Sequence, residues 1–205
     1  VKIWSEFQQK LARGEGVQVA YGDIFIKESV DRELRKHTDA VFRIDANAAW
    51  SLDEALEKIE HFRHLGVEFI EQPLAKDDWE GMAQLYPQSS LPLIADESCV
   101  FEADIDRCVD HFHGINIKLT KCSGMTPAIR MIAKARKAGL KVMMGSMNES
   151  SVGTAAIAQL LPFLDYVDMD GPLLLAEDVA LGVGFDFGKI RYTGSSGLGV
   201  SLTSF

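Results

Sequence analysis

The sequence predicts an α/β fold of the (β/α) TIM-type barrel class, and three observations support this prediction. Short apolar runs rich in β-branched residues alternate with segments of helical periodicity along the 205 residues. Such alternation is typical of parallel strands joined by helical crossovers. Polar side chains end most of the runs at a regular interval: 26 residues separate Asp45 from Glu71, and 25 separate Glu71 from Asp96. A repeat of this length, with one strand and one helix per unit, indicates a barrel.

Six runs are predicted as strands, and two weaker candidates precede them. The six are AVFRIDAN (40–47), VEFIEQP (67–73), LPLIADES (91–98), GINIKLTK (114–121), KVMMGSMNES (141–150) and YVDMDGP (166–172). The two upstream candidates are VQVAY (17–21) and IFIK (24–27), which leave no room for a helix between them. We therefore expect a barrel that is incomplete or irregular at its N-terminal end.

Four helical segments separate these runs, at 51–65, 102–112, 126–138 and 153–161. The first has the clearest boundaries, because Ser51 and Glu54 form a capping-box pattern and Gly66 follows as a stop signal. A doubly wound open sheet is the alternative architecture. It is disfavoured because no glycine-rich phosphate loop follows a first strand.

The overall composition limits the possible function classes. Hydrophobic residues make up 47% and charged residues 25%, which is enough apolar mass for a folded core. The net charge of −9 argues against a nucleic-acid partner, which needs a basic face. No apolar run approaches the roughly 20 residues that span a bilayer. The three cysteines are too few and too scattered for a disulfide framework or a zinc knuckle, so a reducing cytoplasm fits best.

In a β/α barrel the active site lies at the carboxyl ends of the strands. Asp45, Glu71 and Asp96 would meet there from three successive strands, and such close carboxylates raise one another's pKa. A hard divalent cation relieves this repulsion, and Mg²⁺ prefers oxygen ligands while keeping positions for water or substrate. The pattern therefore predicts a Mg²⁺ site. Asn47, two residues after Asp45 on the same strand face, would orient this site without binding the metal.

Lys118 lies in the next run, in phase with the three carboxylates and flanked by apolar residues. Near a metal and low-dielectric walls, the pKa of a lysine falls, so that it can act as a base at neutral pH. Such a base can remove the proton next to a substrate carboxylate, and a metal stabilises the enediolate that forms. A Schiff-base aldolase using Lys118 is an alternative, but it leaves the three carboxylates without a role.

Six motifs resemble those of a known family. DAN (45–47), EQP (71–73), ADES (95–98) and NIKLTKCSG (116–124) are similar to the metal-binding and base motifs of the muconate-lactonizing subgroup of the enolase superfamily. GSMNES (145–150) resembles the seventh-strand motif of that subgroup. DMDGP (168–172) resembles the Asp-x-Asp motif of its dipeptide epimerases, typified by L-Ala-D/L-Glu epimerase. The similarity runs from about residue 36 to the end.

The resemblance implies a magnesium-dependent epimerase of small dipeptides such as L-Ala-L-Glu, which abstracts the α-proton through a metal-stabilised enediolate. It implies Asp45, Glu71 and Asp96 as Mg²⁺ ligands, Lys118 as acid/base, Asp168 and Asp170 as partners of the dipeptide ammonium group, and Glu149 and Ser150 as pocket-lining residues. The role of Asp168 and Asp170 also follows from the residues themselves, without the resemblance. Two carboxylates that are two residues apart on a strand face the same way and can meet one cation.

The chain departs from the family pattern upstream of Asp45. Epimerisation needs a second base on the opposite face of the α-carbon, and the family supplies it from a Lys-x-Lys motif. Here the segment reads Phe25-Ile26-Lys27, and Lys27 lies only 18 residues before Asp45. We expect Lys27 to be this base. We also expect the N-terminal capping domain of the family to be largely absent, with residues 1–22 as a remnant, 23–185 as the barrel and 186–205 as a segment that would pack on a cap.

Other functions remain open at this point. The same fold and metal would serve a cycloisomerase or an o-succinylbenzoate synthase-like lyase, in which Lys118 alone suffices. The altered Lys-x-Lys motif and the missing cap also allow a non-catalytic barrel that acts as a structural or binding partner. The DMD motif favours the epimerase. We expect a small dipeptide as its binding partner, and we expect no nucleic-acid or membrane partner. The sequence leaves the oligomeric state open, a homo-oligomer included.

Overall fold

The computed structural model of the protein describes residues 17–20, 35–186 and 189–203. These residues divide into two compact units. The first unit extends to Ser98 and also contains Arg107–His113, and the second contains Cys99–Asp106 and the chain from Gly114 onward. Each unit is a set of neighbouring parallel strands with intervening helices.

The first unit contains four parallel strands that pair in chain order. They are β1 (Val17–Ala20), β2 (Phe42–Asp45), β3 (Val67–Glu71) and β4 (Leu93–Ala95). The connections from β2 to β3 and from β3 to β4 are helical: α1 (Leu52–His64), then α2 (Trp79–Leu85) with a 3₁₀ turn (Tyr86–Gln88). Strand and helix therefore alternate, and the helix between β2 and β3 is one that the sequence predicts.

Helix α1 begins where the sequence predicts it. The Ser51 hydroxyl accepts the N–H of Glu54 at 3.3 Å, and the Glu54 carboxylate accepts the N–H of Ser51 at 2.9 Å. This capping box satisfies two backbone donors at the helix start that have no partner within the helix. The helix then packs on the core through apolar residues spaced three and four apart: Ala55, Ile59 and Phe62.

Helix α2 has no counterpart in the predictions, because Gly81 and Pro87 interrupt its short apolar pattern. It begins at a side-chain cap, in which Asp78 Oδ1 accepts the N–H of Gly81 at 2.9 Å. The helix predicted at 102–112 is also much shorter in the structure. A 3₁₀ turn covers Glu102–Asp104, and helix α3 covers only Ile105–Cys108.

The second unit contains three parallel strands that pair in the order β5 (Gly114–Ile117), β6 (Lys141–Met144) and β7 (Tyr166–Val167). Their crossovers are α4 (Met125–Lys137) and α5 (Ser151–Leu160), the latter followed by a 3₁₀ turn (Leu161–Phe163). After a further 3₁₀ turn (Gly171–Leu174), four short strands form two antiparallel pairs: β8 (Ala180–Leu181) with β11 (Ser201–Leu202), and β9 (Gly184–Asp186) with β10 (Lys189–Arg191).

The parallel strands form the core of each unit. Every residue of β4 and β5 is buried, as expected for parallel strands covered by helices. The three cysteines Cys99, Cys108 and Cys122 are buried free thiols. Among the described helices, none combines the length and the apolar character that crossing a membrane requires.

A histidine secures the beginning of β4. The backbone N–H of His113 donates to the Leu93 carbonyl at 2.8 Å, and the backbone N–H of Leu93 donates to His113 Nδ1 at 3.0 Å. The ring also packs against Tyr86, with centroids 4.5 Å apart. Nδ1 accepts a hydrogen bond only when it is unprotonated, and burial lowers the pKa of His113 below its usual 6.5.

We expect this histidine to make stability depend on pH. The folded protein favours neutral His113, so its contribution is fully present above about pH 6.5 and is lost as the pH falls through the lower pKa of the folded state. The variant His113→Ala should lose about 1 kcal/mol in the free energy of unfolding at pH 7.5, and this loss should shrink toward pH 5. Urea unfolding of both proteins across this range measures the difference. An equal loss at every pH would contradict the role of Nδ1 as an acceptor.

Candidate active site

Three carboxylates stand at the carboxyl ends of three successive strands in the first unit. Asp45 ends β2 and Glu71 ends β3, and the two residues are Cα partners in the strand register. Glu71 in turn pairs with Ile94 of β4, so Asp96, two residues beyond Ile94, is in phase with both. The backbone register therefore agrees with the phase that the sequence interval predicts.

Burial and donor chemistry of these residues fit a divalent cation. Glu71 and Asp96 are only 1% and 2% exposed, and buried carboxylates need compensating charge or hydrogen-bond donors. Next to them, Glu97 Oε2 is buried and has no hydrogen-bond partner among the described residues. A set of carboxylate oxygens suits Mg²⁺ rather than a softer metal.

The side chains are not arranged as a finished metal cage. Within the part of the chain that the structure describes, no three His, Cys, Asp or Glu side chains lie close enough together to hold a metal ion. Like charges repel, so three ionised carboxylates do not gather at one point without a cation to compensate them. The structure contributes the strand-end register and the burial, and the assignment of ligands stays a prediction.

Asn47 differs from its prediction. Strand β2 ends at Asp45, and Asn47 and Ala48 then adopt left-handed conformations with φ of +47° and +59°. Side-chain alternation does not continue through this turn, so the predicted common strand face is wrong. The Asn47 side chain is exposed, and its backbone N–H donates to Asp45 Oδ1 at 2.9 Å. Asn47 therefore supports Asp45 through its backbone.

In the second unit, Lys118, Gly145 and Asp168 directly follow β5, β6 and β7. Because Ile117 pairs with Met144, and Met144 with Val167, these three residues form the next row across the strand ends. The central position carries no side chain, and a Cβ at Gly145 would lie 3.0 Å from Lys118 Cε. The glycine thus leaves room for the lysine stem.

Asp168 has an unusual proton affinity for an aspartate. Burial and the neighbouring Asp170 carboxylate raise the pKa of Asp168 to about 7, against the opposing effect of the Lys118 charge. In its protonated form the Asp168 carboxyl donates a hydrogen bond to the Asp170 carboxylate. Asp168 is therefore close to both Asp170 and Lys118. Strand β7 ends at Val167, so the pair lies beyond the strand on which the sequence placed it, and its role toward an ammonium group stays a prediction.

Glu149 follows β6 and is 7% exposed. Its Oε1 accepts the N–H of Met147 at 3.1 Å, while its Oε2 is buried and lacks a hydrogen-bond partner among the residues that the structure describes. A Cβ at Gly153 would lie 2.4 Å from that oxygen. Ser150 is the N-cap of α5, and its hydroxyl accepts the N–H of Val152 at 3.3 Å. Its side chain therefore has a structural role that the prediction did not include.

Lys27, the predicted second base, lies outside the described residues, as does the IFIK segment. The sequence-based predictions assigned no role to two uncharged residues. Gly145 and the fully buried Gln72 stand directly beside predicted site residues, in the motifs GSMNES and EQP. Their place after a strand is the one signal that could have indicated them.

These features define a β/α protein of the TIM-barrel class with acidic and basic residues at its strand ends. A family model described as "Enolase C-terminal domain-like" matches residues 10–204, and the chain belongs to this family. The family assignment confirms both the predicted fold class and the resemblance to the enolase superfamily.

Curated relatives are named as epimerases. The chain is 50% identical to an L-Ala-D/L-amino acid epimerase of Flavobacterium johnsoniae over 199 residues, which cover 97% of this chain and 56% of the relative. It is 58% identical to a protein of the same name from Maribacter sp. over 175 residues, covering 85% of this chain and 52% of the relative. The chain thus spans about half the length of the curated relatives it matches.

Solved structures agree with this assignment. A substrate-liganded complex of the L-Ala-D/L-Glu epimerase from Bacillus subtilis matches with a TM-score of 0.89 and 29% identity, covering 98% of this chain and 60% of the other. A second match is the dipeptide epimerase from Methylococcus capsulatus, complexed with Mg and the dipeptide L-Arg-D-Lys. Its TM-score is 0.87 at 31% identity, and the match covers 97% of this chain and 59% of the other.

Proposed function

We propose that the protein is a magnesium-dependent epimerase of small dipeptides that acts in the cytoplasm. The observation that carries the proposal is the row Lys118, Gly145 and Asp168, in which a lysine lies near a pair of carboxyl groups. The epimerase names of the relatives, and the Mg and dipeptide bound in a structural neighbour, support it. Cytoplasmic action is consistent with the three free thiols.

Asp45, Glu71 and Asp96 would hold the magnesium ion. When bound, the ion supplies positive charge that stabilises the substrate carboxylate as its α-carbon loses a proton. The burial of Glu71 and Asp96 keeps water away from these charges and strengthens their interaction with a cation.

Lys118 would take the α-proton on one face, and Lys27 would deliver a proton on the other. Proton transfer to an amine needs the amine in its neutral form, so the base must lose its own proton before each turnover. Two bases on opposite faces invert the configuration at the α-carbon.

Asp168 and Asp170 would bind the free ammonium group of the dipeptide. Charge-assisted hydrogen bonds from an ammonium group to two carboxylates fix the orientation of the substrate. This role distinguishes a dipeptide from an N-acylated amino acid, whose nitrogen carries no positive charge.

The test is α-proton exchange in deuterated water. L-Ala-L-Glu and a panel of other L-Ala-L-X dipeptides should gain deuterium at one α-carbon and epimerise, and both reactions should need Mg²⁺. Mass spectrometry and NMR follow the label. The control substrates are the N-acetyl and N-succinyl amino acids, which should react poorly. The proposal fails if no dipeptide exchanges at any Mg²⁺ concentration, and exchange confined to the N-acylated compounds would reassign the substrate.

The raised pKa of Asp168 predicts a pH dependence of dipeptide binding. Only the ionised form of Asp168 attracts the ammonium group, so the Kd should rise as the pH falls through about 7. Above about pH 8 the dipeptide amine itself loses its proton, and binding should weaken again. Calorimetry at several pH values measures the profile. An N-acetyl dipeptide is the control, because its affinity should not follow the ionisation of Asp168 in this way; identical profiles for both ligands would refute the role.

A further inference from the structure

We propose that Gln72 is a positioning residue that holds the three metal-binding strand ends of the first unit in register. The inference rests on the proposed Mg²⁺ role of Asp45, Glu71 and Asp96. Gln72 directly follows Glu71 and is completely buried. It would not touch the metal, and it acts through the backbone segments that carry the ligands.

The Gln72 side chain holds the segment that follows β4. Its Oε1 accepts the N–H of Asp96 at 3.0 Å and the N–H of Ser98 at 3.1 Å. Its Nε2 donates to the Ser98 hydroxyl at 2.8 Å and to the Leu74 carbonyl at 2.9 Å. These four bonds use both acceptor sites and both donors of the carboxamide. The side chain therefore fixes the backbone at Asp96 from both sides.

The Gln72 backbone joins the other two strand ends. Its N–H donates to the Ile94 carbonyl at 2.8 Å, and its carbonyl accepts the N–H of Ala48 at 2.8 Å. Ala48 belongs to the turn that directly follows Asp45. One residue thus bonds to the ends of both flanking strands, and its own neighbour in sequence is Glu71.

The conformation of Gln72 indicates that these contacts hold it in place. Its φ of +34° lies in the left-handed region, which is unfavourable for a residue with a long side chain. Such a conformation persists only where the surroundings impose it. The Ser98 hydroxyl extends the network by donating to the Lys76 carbonyl at 2.8 Å.

Only a carboxamide can make this set of bonds. A glutamate side chain lacks the two donors and would place a further charge among buried carboxylates, while an apolar side chain leaves the N–H groups of Asp96 and Ser98 without acceptors. Loss of these bonds frees the backbone at Asp96, and a hard cation with strict geometry tolerates displaced ligands poorly.

The test compares metal affinity in three variants. Mn²⁺ replaces Mg²⁺ as the probe, and electron paramagnetic resonance measures the free ion during titration. Gln72→Met keeps the volume and removes all four bonds; we expect its Kd for Mn²⁺ to rise about 10- to 100-fold. Ser98→Ala removes the two bonds of the Ser98 hydroxyl, one from Gln72 and one to the Lys76 carbonyl, and should raise the Kd about fivefold. His113→Ala is the matched control, since it breaks a side-chain bond to the other end of β4 and should change stability but not the Kd.

Activity gives a second readout. The Gln72→Met protein should need more Mg²⁺ for half-maximal rate, while kcat at saturating Mg²⁺ stays near the wild-type value. If the Gln72→Met protein folds and has the wild-type Kd for Mn²⁺, the inference about Gln72 is wrong, while the proposed metal site is unaffected. If Gln72→Met does not fold, Ser98→Ala tests the inference in its place. An unchanged Kd for Mn²⁺ in Ser98→Ala then overturns the inference about Gln72. A wild-type protein that binds no Mn²⁺ overturns the proposed metal site and the inference with it.

Discussion

Replacing Lys118 by methionine is expected to lower the rate of epimerisation by about 10²- to 10⁴-fold, the usual contribution of a positioned general base. The affinity for Mn²⁺ should not change, because Lys118 is not among the proposed metal ligands. Since the Lys118 charge lowers the pKa of Asp168, the variant and the wild-type protein should be compared across a range of pH, which separates the loss of the base from a shift in the ionisation of Asp168. The rate of change in optical rotation measures the effect.

Two other lysines serve as comparisons for Lys118→Met. Lys137→Met alters an exposed lysine in the last turn of α4 and should retain the wild-type rate. Lys27→Met tests the second base. In deuterated water, Lys118→Met and Lys27→Met should lose exchange from opposite epimers of the dipeptide, because each base serves one face of the α-carbon. A Lys118→Met protein that epimerises at the wild-type rate would refute the assignment of the base.

Replacing Glu71 by glutamine is expected to lower the metal-dependent activity by more than about 100-fold. Mn²⁺ binding should weaken to a similar extent. The change is nearly isosteric and removes a negative charge at a residue that is 1% exposed. Added Mg²⁺ should raise the melting temperature of the wild-type protein but not of the variant. A ligand stabilises a folded protein only if the folded protein binds that ligand.

Glu68→Gln is the matched control for Glu71→Gln. Glu68 lies on the same strand and pairs with Arg43 at 2.8 Å near the surface. Its replacement should leave the Mn²⁺ affinity and the rate unchanged. Equal metal affinity in Glu71→Gln and in the wild-type protein would remove Glu71 from the proposed ligands.

Much of the fold, and the position of charged residues at the strand ends of the candidate site, were predictable because both depend on local patterns. A buried strand is an apolar run that ends in polar residues, and Asp45, Glu71 and Asp96 are visible in that pattern without any partner. The start of α1 is equally local, since its capping box needs only Ser51 and Glu54. The observed strand ends and helix boundary agree with these predictions.

Predictions failed where a residue leaves the regular geometry assumed for it. Asn47 was placed on a strand face, but two left-handed residues end the alternation after Asp45. The helix predicted at 102–112 covers only Ile105–Cys108. Asp104 Oδ2 accepts the backbone N–H groups of Val100 and Phe101 at 2.9 and 2.7 Å, which favours a turn there.

The sequence by itself determined which polar residues end the strands and in what order, because each strand carries that information in a few consecutive residues. Only the tertiary structure decided how those residues affect one another. The pKa of Asp168 depends on burial and on Lys118, which lies 50 residues earlier. The bond from the Asp96 N–H to Gln72 joins residues 24 apart. Such effects depend on strand register and on the exclusion of water, which arise only when distant segments pack together.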